Sequence, residues 1–553
     1  MRTVSLSAFI AIALSLASAA GAEVISVPGI AANIKSAVAM ATSGDEIVIG
    51  PGTWSGANNR DVHLQGKQLW IHSAEGVATC IIDGGGVARG FILDGGEANG
   101  TLVEGITFRN CRVLGFYQTG GAIITAATSS LAVHNCEFDA NITDLNGRGG
   151  AISNAGVLVV TDTTFKQNIA YYYGGRGGAI YNLTGGTLTV SGCTFNQNIG
   201  NEASGGAIGN DGIALLSDST FTGNTGQSGG ALWNTGSLDV QNCTFQSNSA
   251  KGGGAASISA GAASFESCTF LTDTSVIFLG GGGAFLVSGT AQLSVTRCRL
   301  LGSIAGSNGG GGFLVNGGNV EITDSLISGC GSGTSGAGIR VNGGAVFVRG
   351  CTVAQNSVTG VAGGGAGLVV NGTGSATVSN SIVWGNTAIG ITGQAAQIAV
   401  APTALLTLSS SCLEGLDGAL GGIGNIGDNP LFTLMLGADG VKGTLDDDLR
   451  LTSASPCIDS GSNALVPAFS TNDLDGNSRI SDGDGDSAAI TDMGAYERAN
   501  PFDLTGDGLV TASDLTILLG TWGGTGPNGD FDGDGIVDAA DLAILLGAWT
   551  TLS

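Results

Sequence analysis

The sequence predicts a mainly β protein whose principal domain is a right-handed parallel β-helix, and three observations predict it. A unit of 24 to 30 residues recurs along most of the chain, as in Gly177–Asn198, which begins with Gly-Gly-Ala-Ile and ends with Phe-x-x-Asn. Apolar and polar residues alternate within the unit, which indicates short strands with one buried face. Glycine supplies 99 of 553 residues, as many tight corners require. One unit cannot bury its apolar face alone, so successive coils must stack about 4.8 Å apart.

Fixed positions within the unit predict ladders of stacked side chains. Each unit has an anchor position, usually a small residue, at Cys80, Ile106, Cys136, Thr163, Cys193, Ser219, Cys243, Cys268, Cys298, Ser325, Cys351 and Ser381. Five residues after the anchor stands an asparagine in seven units, at Asn141, Asn168, Asn198, Asn224, Asn248, Asn356 and Asn386. An ordinary β-sandwich is the main alternative, but it would not keep a small residue and an asparagine at fixed offsets over about ten units.

The first 22 residues have the pattern of a secretory signal peptide, predicted over residues 1–22. Arg2 is positively charged, the stretch from Val4 to Leu16 is apolar, and Ala20-Gly21-Ala22 offers a small-residue cleavage site. The apolar stretch is short for a membrane span, and no later stretch qualifies. We therefore expect a secreted protein, extracellular or at the cell surface, with no membrane span in the mature chain.

The β-helix with an N-terminal cap is predicted over residues 23–427. The alanine-rich stretch 30–41 is helical in pattern, and a helix there would cover the open sheet end of the first coil. The sequence GDEIVIGPGTW follows at residues 44–54. A helix followed by Gly-Asp, an apolar strand and Pro-Gly-Thr-aromatic resembles the beginning of many pectate-lyase-like β-helices, which implies the pectin lyase fold.

The repeats also resemble those of bacterial polymorphic outer-membrane proteins and related β-helix surface proteins. The resemblance spans roughly residues 120–386 and rests on Gly-Gly-Ala-Ile together with Phe-x-x-Asn. Five units carry the second motif literally, as Phe138/Asn141, Phe165/Asn168, Phe195/Asn198, Phe221/Asn224 and Phe245/Asn248. It implies a β-helical architecture.

The composition argues against a nucleic-acid partner and favours cation binding. Acidic residues number 44 and basic residues 19, so the formal charge is −25. No stripe rich in Lys or Arg is present to neutralise phosphates, so we expect no nucleic-acid partner. The acidic residues concentrate after about Asp439, which favours local cation binding.

The eleven cysteines could form disulfides if the protein is exported. Most of them occupy the anchor position, where Thr163, Ser219, Ser325 and Ser381 take their place in other units. We therefore expect buried thiols that act as small hydrophobes, because the parallel Cβ vectors of stacked neighbours disfavour bridging. The number is odd, so at least one thiol stays unpaired within the chain.

A lateral patch of aromatic and charged residues is expected just before the Gly-Gly corners of successive coils. Its members are Phe116, Tyr117, Arg148, Tyr171, Tyr172, Tyr173, Arg176 and Glu202. Arg148 and Arg176 should stack on neighbouring coils, where their like charges repel unless Asp144, Glu202 or an anionic ligand pairs with them. Aromatic faces beside arginines suit sugar rings and uronate carboxylates, so the patch is a candidate polysaccharide site. A solvated cluster paired within itself is the alternative.

The sequence alone does not decide whether the patch is catalytic. The pectate-lyase-like resemblance implies an arginine base acting α to a carboxylate, with Arg148 or Arg176 as candidates. A glycoside hydrolase would instead need two carboxylates at a defined separation, for which Asp139, Asp144 and Glu202 are the candidates. The spacing of these residues in the sequence does not favour one of the two reactions over the other.

The repeat fades after residue 427, and residues 428–499 are predicted to close the β-helix over its last coil. The segment contains NPLF, GADGVKGTLDDDLRL, SPCIDSG, DLDGNSR and DMGAYE in that order, and it resembles the closing segment of many secreted bacterial β-helix proteins. Asp482, Asp484 and Asp486 form either a Ca²⁺ site or a polar turn.

Two acidic loops follow, and their spacing predicts Ca²⁺ binding. Asp503–Asp514 is DLTGDGLVTASD and Asp530–Asp541 is DFDGDGIVDAAD, each with oxygen ligands at positions 1, 3, 5, 9 and 12 and glycine at position 6. The residue at position 7 would contribute its backbone carbonyl. The expected ligand residues are Asp503, Thr505, Asp507, Leu509, Thr511, Asp514, Asp530, Asp532, Asp534, Ile536, Asp538 and Asp541.

The duplicated loops, each followed by one short helical segment, resemble a type I dockerin, predicted over residues 500–553. The resemblance implies EF-hand-like loops folded by Ca²⁺, and helices that bind a cohesin-like partner. Thr505 replaces the usual Asn or Asp, so the first site is expected to be the weaker one.

Three function classes fit this sequence. The first is a polysaccharide lyase or glycoside hydrolase, the second a carbohydrate-binding or adhesive surface protein without catalysis, and the third a structural component of an extracellular assembly. Dockerin association and the aromatic and arginine residues favour the first two classes, whereas the weak acid/base constellations favour the last two.

Overall fold

In a computed structural model the chain is described over residues 22–97, 101–171, 174–202, 204–276, 281–307, 309–360, 363–486, 488–506, 509–525 and 529–549. The predicted signal peptide lies outside these residues, apart from Ala22. Contacts divide the chain into two compact units. Unit 1 contains the described parts of Met1–Ser294, Ser303–Asn319 and Gly331–Gly333, and unit 2 those of Val295–Gly302, Val320–Cys330 and Thr334–Ser553.

Unit 1 is a parallel β-helix in which each coil contributes up to four short strands, and equivalent strands of successive coils pair to form four rows. Row 1 follows the Gly-Gly corners and consists of Val62–His63, Phe91–Leu93, Ile123–Thr125, Ile152–Asn154, Ile180–Asn182, Ile208–Asn210, Leu232–Asn234, Ala256–Ile258, Phe285–Val287 and the start of Phe313–Thr323. Row 2 consists of Val24–Val27, Glu46–Ile49, Trp70–Ser73, Leu102–Glu104, Ser130–His134, Val157–Thr161, Thr187–Ser191, Ile213–Ser217, Ser237–Gln241, Ala262–Glu266 and the start of Gln292–Thr296.

The other two rows of unit 1 complete each coil. Row 3 consists of Gly52–Trp54, Cys80–Asp83, Thr107–Arg109, Glu137–Asp139, Thr164–Lys166, Thr194–Asn196, Thr220–Thr222, Thr244–Gln246 and Thr269–Leu271. Row 4 consists of Arg112–Val113, Ile142–Thr143, Ile169–Tyr171, Ile199–Asn201, Thr225–Ser228, Ser249–Gly252, Thr274–Ser275 and Gly331–Ser332. The predicted parallel β-helix is thereby confirmed.

The central residues of row 3 stack as a ladder of phenylalanines in the core. Phe165, Phe195 and Phe221 occupy the same register position on successive strands, and all three are fully buried. Their ring centroids are 4.8 Å and 4.7 Å apart, which is the spacing of the strands themselves. Because the backbone repeat sets the ring distance, each ring packs on a neighbour from the coil before and the coil after.

The predicted asparagine ladder satisfies the backbone at the corner after row 3. The Oδ1 of Asn198 accepts hydrogen bonds from the backbone N–H (3.0 Å) and the side-chain amide (2.9 Å) of Asn168. Its Nδ2 donates to the carbonyl of Phe165 at 3.0 Å. Buried polar groups are costly unless paired, so this network explains the asparagine at fixed spacing. The ladder of asparagines that begins at Asn141 ends at Asp273, which accepts from Asn248.

A second ladder, not predicted from the sequence, lies at the corner between rows 1 and 2. Its members are Asn154, Asn182, Asn210 and Asn234. The side-chain amide of each of the first three donates to the Oδ1 of the asparagine one coil later, at 2.7–2.8 Å.

The expected N-terminal helix spans Ile34–Met40. Asn33 caps it, since its side chain accepts the N–H of Ser36 at 2.9 Å. Ile34, Ala37 and Val38 are buried, and the helix packs against Val24–Val27, Glu46–Ile49 and Val62–His63. It therefore covers the first strands of the β-helix, as predicted.

Unit 2 continues the same strand types. Its rows 1 and 2 contain the end of Phe313–Thr323, Ile339–Arg349, Leu368–Val370, Ser375–Ser379, Ile398–Val400 and Leu405–Ser409. Its row 3 contains Arg299–Leu301, Leu326–Ser328, Thr352–Ala354, Ile382–Trp384 and Cys412–Leu413, and its row 4 contains Ser357–Val358 and Thr387–Ala388. The remaining elements are the helices Gln394–Gln397, Ala512–Gly520 and Ala539–Gly547, the 3-10 turn Asn463–Leu465 and the antiparallel pair Phe432–Leu434 and Asp448–Leu451.

The closing segment lies along the outer side of row 3 over several coils of unit 2, rather than only over the last coil as expected. Three of its hydrogen bonds to these coils are Asp475–Arg299 (2.9 Å), Ala495–Thr352 (3.0 Å) and Ser462–Asn380 (3.0 Å). The physical reason is that the outward face of row 3 is apolar in unit 2. Ile382 and Cys412 point outward there and are buried, whereas the equivalent residues of unit 1, such as Thr194 and Thr220, are polar and exposed. The apolar face needs a cover.

The motif DMGAYE contributes to a buried ion cluster inside this cover. Arg479 is 1% exposed and lies 3.2 Å from Asp324 and 2.9 Å from Glu497. Its guanidinium also donates to the carbonyls of Asp492 (3.1 Å) and Gly494 (2.7 Å). Burial raises the pKa of Glu497 well above its usual range, while the charge of Arg479 opposes this rise. Removal of one partner from such a cluster would leave an uncompensated buried charge.

Candidate binding site

Two arginines lie side by side where successive coils of unit 1 turn into row 1. Parallel bridges join Thr119, Arg148, Arg176, Ser204 and Ser228 in that order, one residue from each coil. The structure thus brings Arg148 and Arg176 together on neighbouring coils, because each immediately precedes the same Gly-Gly corner.

Arg176 is paired with Asp211, which sequence reasoning missed. Its guanidinium forms an ion pair with the Asp211 carboxylate and lies 4.2 Å from the centre of the Trp233 ring. The hydroxyl of Tyr181 donates to the same carboxylate, and that of Thr235 donates to its other oxygen at 2.5 Å. Asp211 follows an asparagine of the second ladder, so an alignment on that ladder would have identified it as the acidic member of this position.

Arg148 lies beside Tyr181 and has no carboxylate partner within the described residues. Its guanidinium carbon is 5.2 Å from the centre of the Tyr181 ring, and its Nη1 is 3.5 Å from the phenolic oxygen. Burial raises the pKa of Tyr181, and its hydrogen bond to Asp211 adds to the rise, so the phenol stays protonated at neutral pH. The cluster formed by Arg148, Arg176, Asp211 and the buried rings of Tyr181 and Trp233 is called the arginine–aromatic patch below.

The backbone makes room for this patch at Gly209. Tyr181 and Trp233 are central residues of row 1 strands, and Gly209 lies between them in register. A Cβ atom at Gly209 would lie 3.1 Å from the Cβ of Arg176 and 3.3 Å from the Tyr181 ring. A side chain there would push both groups away, so glycine permits the close approach of arginine and tyrosine.

The two carboxylates proposed as partners of the arginines lie elsewhere. Asp144 pairs with Arg112 at 2.7 Å, and the Arg112 side chain comes from row 4 of the preceding coil. Glu202 stands in a turn with a positive φ of 54° and has no ion pair among the described residues. The expectation that Asp144 or Glu202 neutralises Arg148 or Arg176 is therefore wrong for Arg176, whose partner is Asp211, and no described carboxylate fills this role for Arg148.

The predicted aromatic residues differ in exposure. Phe116 and Tyr117 lie in a turn before row 1 and are 64% and 73% exposed. Tyr171 ends the row 4 strand Ile169–Tyr171 and is half-buried, while Tyr172 and Tyr173 lie outside the described residues. Tyr181 and Trp233, which sequence analysis did not single out, are the aromatic residues that contact the arginines.

The acidic residues of the closing segment lie close together. Carboxylate oxygens of Asp459, Asp482 and Asp484 lie within 4.8 Å of one another. Burial raises the pKa of Asp459 to about 6, and the charges of Asp484 and Asp482 contribute. Backbone N–H groups of Gly483 and Asp484 also donate to Asp459, at 3.0 Å and 2.9 Å, as in a polar turn.

Each acidic loop near the C-terminus leads into a helix. Thr511 caps Ala512–Gly520 and Asp538 caps Ala539–Gly547, with the position-12 aspartates Asp514 and Asp541 accepting the cap N–H at 2.7 Å and 2.8 Å. These position-12 side chains are buried. Val510, Leu518, Val537, Leu545 and Ala548 form a common core of the two repeats.

The second loop brings three predicted ligands together. Carboxylate oxygens of Asp530, Asp532 and Asp541 lie within 4.8 Å of one another, which fits hard oxygen ligands around one Ca²⁺ ion. Asp534 and Asp538 instead accept N–H bonds from Ile536 and Ala540. Five predicted ligand residues of the first loop, Asp503, Thr505, Leu509, Thr511 and Asp514, lie within the described residues, and Asp507 lies outside them.

Comparisons with known proteins agree with the fold. Residues 228–404 match the family model described as "Right handed beta helix region", so the helix handedness predicted from the sequence is confirmed. An 83-residue stretch, 14% of this chain, is 39% identical to the probable autotransporter YfaL of Escherichia coli (strain K12) and covers 6% of that relative's length.

Solved structures with similar architecture include two lyases. The pectate lyase Pel9A aligns with 87% of this chain and 98% of its own, with 12% identity and a TM-score of 0.28. A PL6 alginate lyase in complex with a trisaccharide aligns with 79% of this chain and 95% of its own, with 12% identity and a TM-score of 0.38.

Within the described ranges, no helix combines the length and apolar character needed to cross a membrane.

Proposed function

We propose that this protein is exported, by a signal peptide over residues 1–22, and binds an extracellular polysaccharide rich in uronic acids at the arginine–aromatic patch. The observation that carries the proposal is the unequal pairing of the two stacked arginines. Asp211 neutralises Arg176, whereas Arg148 has no carboxylate partner within the described chain. An anionic ligand would complete the pairing.

Arginine is suited to this ligand because its planar guanidinium can donate two parallel hydrogen bonds to one carboxylate. Arg176, held by Asp211 and Trp233, provides a fixed neighbour for Arg148. The exposed rings of Phe116 and Tyr117 offer apolar faces for sugar rings on an earlier coil. Tyr171, at the end of the row 4 strand Ile169–Tyr171, is proposed for the same carbohydrate surface, as are Tyr172 and Tyr173, which precede Arg176 in the sequence.

The protonation and the pairing of the candidate groups favour binding over catalysis. A lyase base must accept a proton, but a guanidinium keeps its proton in proteins. Arg176 is additionally ion-paired. A hydrolase would need two available carboxylates. Asp211 accepts three side-chain donors and Asp144 pairs with Arg112, so Glu202 has no available partner between these two. An adhesive or structural surface role without carbohydrate binding is the alternative.

Replacing Arg148 by alanine is expected to weaken binding to an acidic polysaccharide by roughly tenfold to a hundredfold, because a hydrogen bond to a charged group contributes about 1.5–3 kcal/mol. Affinity electrophoresis in gels containing polygalacturonate or alginate measures this change. Lys166→Ala is the matched control, since it removes one positive charge that Glu137 already pairs at 3.0 Å. Equal losses in both variants would show that only net charge matters and would contradict a site at Arg148.

We further propose that the C-terminal loops bind Ca²⁺ and that the module formed by residues 500–553 attaches the protein to a cohesin-like partner. The convergence of Asp530, Asp532 and Asp541 supports a site in the second loop. The equivalent residues Asp503, Thr505, Asp507, Leu509, Thr511 and Asp514 are proposed for the first. Ca²⁺ would hold carboxylates that otherwise repel one another.

Removal of Ca²⁺ with a chelator is expected to unfold this module and leave the β-helix folded, because the core of the module is small. Limited proteolysis with mass analysis should then show cleavage after residue 500 only in chelator. The variant Asp530→Ala should show this cleavage at Ca²⁺ concentrations that protect the unaltered protein, whereas Asp439→Ala, an exposed aspartate outside the loops, should not. Equal protection with and without chelator would contradict the proposal.

A further inference from the structure

Two buried cysteines meet where the closing segment packs on the coils of unit 2. Cys412 begins the row 3 strand Cys412–Leu413, and Cys457 lies in the closing segment. Both side chains are fully buried and belong to one hydrophobic cluster with Ile382 and Met493. The Sγ–H of Cys412 donates to the carbonyl of Asp428 at 3.2 Å.

Cys412 does not occupy the anchor position that explains most other cysteines. Anchor cysteines such as Cys351 point inward and donate to the carbonyl two residues earlier, at 3.3 Å in that case. In the last coil the anchor position is Ser411, whose hydroxyl accepts the N–H of Ser381 at 3.2 Å. Cys412 pairs in register with Ile382 on the outward face of row 3, where it faces the closing segment.

We propose that Cys412 and Cys457 form a disulfide that ties the closing segment to the last coil. Each Sγ–H loses its hydrogen and one S–S bond forms, while a disulfide oxidant R–S–S–R accepts the two electrons and two protons and becomes two R–SH. The bond would close a loop of residues 413–456, which restricts the unfolded chain. This inference goes beyond polysaccharide binding, and it concerns covalent maturation in an oxidising compartment.

The bond is expected to form while the chain folds. The neighbouring thiol of Cys457, followed by burial, raises the pKa of the Cys412 thiol well above its ordinary value. Since the thiolate is the reactive species, the folded and reduced protein should resist both oxidation and alkylation at this pair.

The test is a count of free thiols in the full-length protein after refolding from denaturant in a buffer of reduced and oxidised glutathione. Alkylation under denaturing conditions without reductant, read by mass, should modify nine of the eleven cysteines. Peptide mapping should recover the peptide that contains Cys412 linked to the one that contains Cys457. Modification of all eleven, or a link between any other pair, would overturn the proposal.

Two variants make the count specific. Cys412→Ser should release Cys457, so that all ten remaining cysteines are alkylated. Cys243→Ser, at a buried anchor position in unit 1, should leave the bond intact and give eight alkylated cysteines. A refolded Cys412→Ser variant that still holds a disulfide would contradict the assignment, and the mapping of the unaltered protein decides the matter if that variant does not refold.

Discussion

Replacing Phe195 by alanine is expected to lower the free energy of unfolding of the β-helix by about 3–5 kcal/mol. Phe195 is fully buried, and its ring lies 4.8 Å from that of Phe165 and 4.7 Å from that of Phe221. Alanine would leave a cavity between two rings whose positions the strand repeat fixes, so the neighbours cannot close it without breaking backbone pairing. In a solenoid each coil is stabilised by its neighbours, so one substitution removes contacts on two sides.

Urea unfolding followed by circular dichroism measures this loss. Thr194→Ala is the control, because the adjacent side chain is exposed on the outer face of the same strand and surface changes stay within about 0.5 kcal/mol. If Phe195→Ala unfolded at the same urea concentration as Thr194→Ala, the ladder would not be the core of the structure.

Replacing Asp273 by asparagine is expected to stabilise the protein on the order of 4 kcal/mol above pH 7. Asp273 ends the asparagine ladder, where its Oδ1 accepts the N–H and amide of Asn248 at 2.8 Å and 2.9 Å. Its Oδ2 is buried without a hydrogen-bond partner. Burial raises the pKa of Asp273 to about 7, and the bonds from Asn248 only partly oppose this. Each unit of pKa shift corresponds to about 1.36 kcal/mol.

The pH dependence follows from this shift. Well below its ordinary pKa of 3.8 the carboxyl is protonated in both folded and unfolded chains, so it carries no ionisation penalty. As the pH rises from about 4 to about 7, the unfolded chain ionises first and its free energy falls relative to the folded chain. Above pH 7 both states are ionised and the penalty is constant.

Asparagine does not titrate, and its Nδ2 would lie where the earlier ladder members donate to a phenylalanine carbonyl, as Asn248 does to Phe221 at 2.9 Å. Urea unfolding at a series of pH values should show a stability gain for Asp273→Asn that grows between pH 4 and pH 7. Asp218→Asn, at an exposed aspartate, is the control and should show little change at any pH. A gain that is the same at pH 4 and pH 8 would contradict a raised pKa for Asp273.

The ladders could be predicted from the sequence because they are periodic. A buried asparagine that bonds its own copy on the next coil must recur at the coil length, so the positions of Asn168 and Asn198 follow from spacing alone. The stacking of Arg148 and Arg176 follows for the same reason, since both precede Gly-Gly-Ala-Ile.

Contacts between different parts of a coil could not be predicted in this way. Asp211 contacts Arg176 from a corner 35 residues away. No acidic residue takes the place of Asp211 on the neighbouring coils, so periodicity does not mark the pair. The repeat does not predict the position of the closing segment, because that position depends on a change on the outer face of row 3, from Thr194 and Thr220 to Ile382 and Cys412. The chemistry of the patch depends on such single, non-periodic residues.

Polysaccharide binding without cleavage is the central claim, and one assay tests it directly. The purified mature protein, with Ca²⁺, is incubated with uronate-rich and neutral polysaccharides, and the bound fraction, ultraviolet-absorbing unsaturated products and new reducing ends are all recorded. We predict retention on a uronate-rich polymer, weaker retention on neutral polymers and neither product. Release of unsaturated products or reducing ends would establish catalysis, and absence of binding to every acidic polymer would contradict the proposed site.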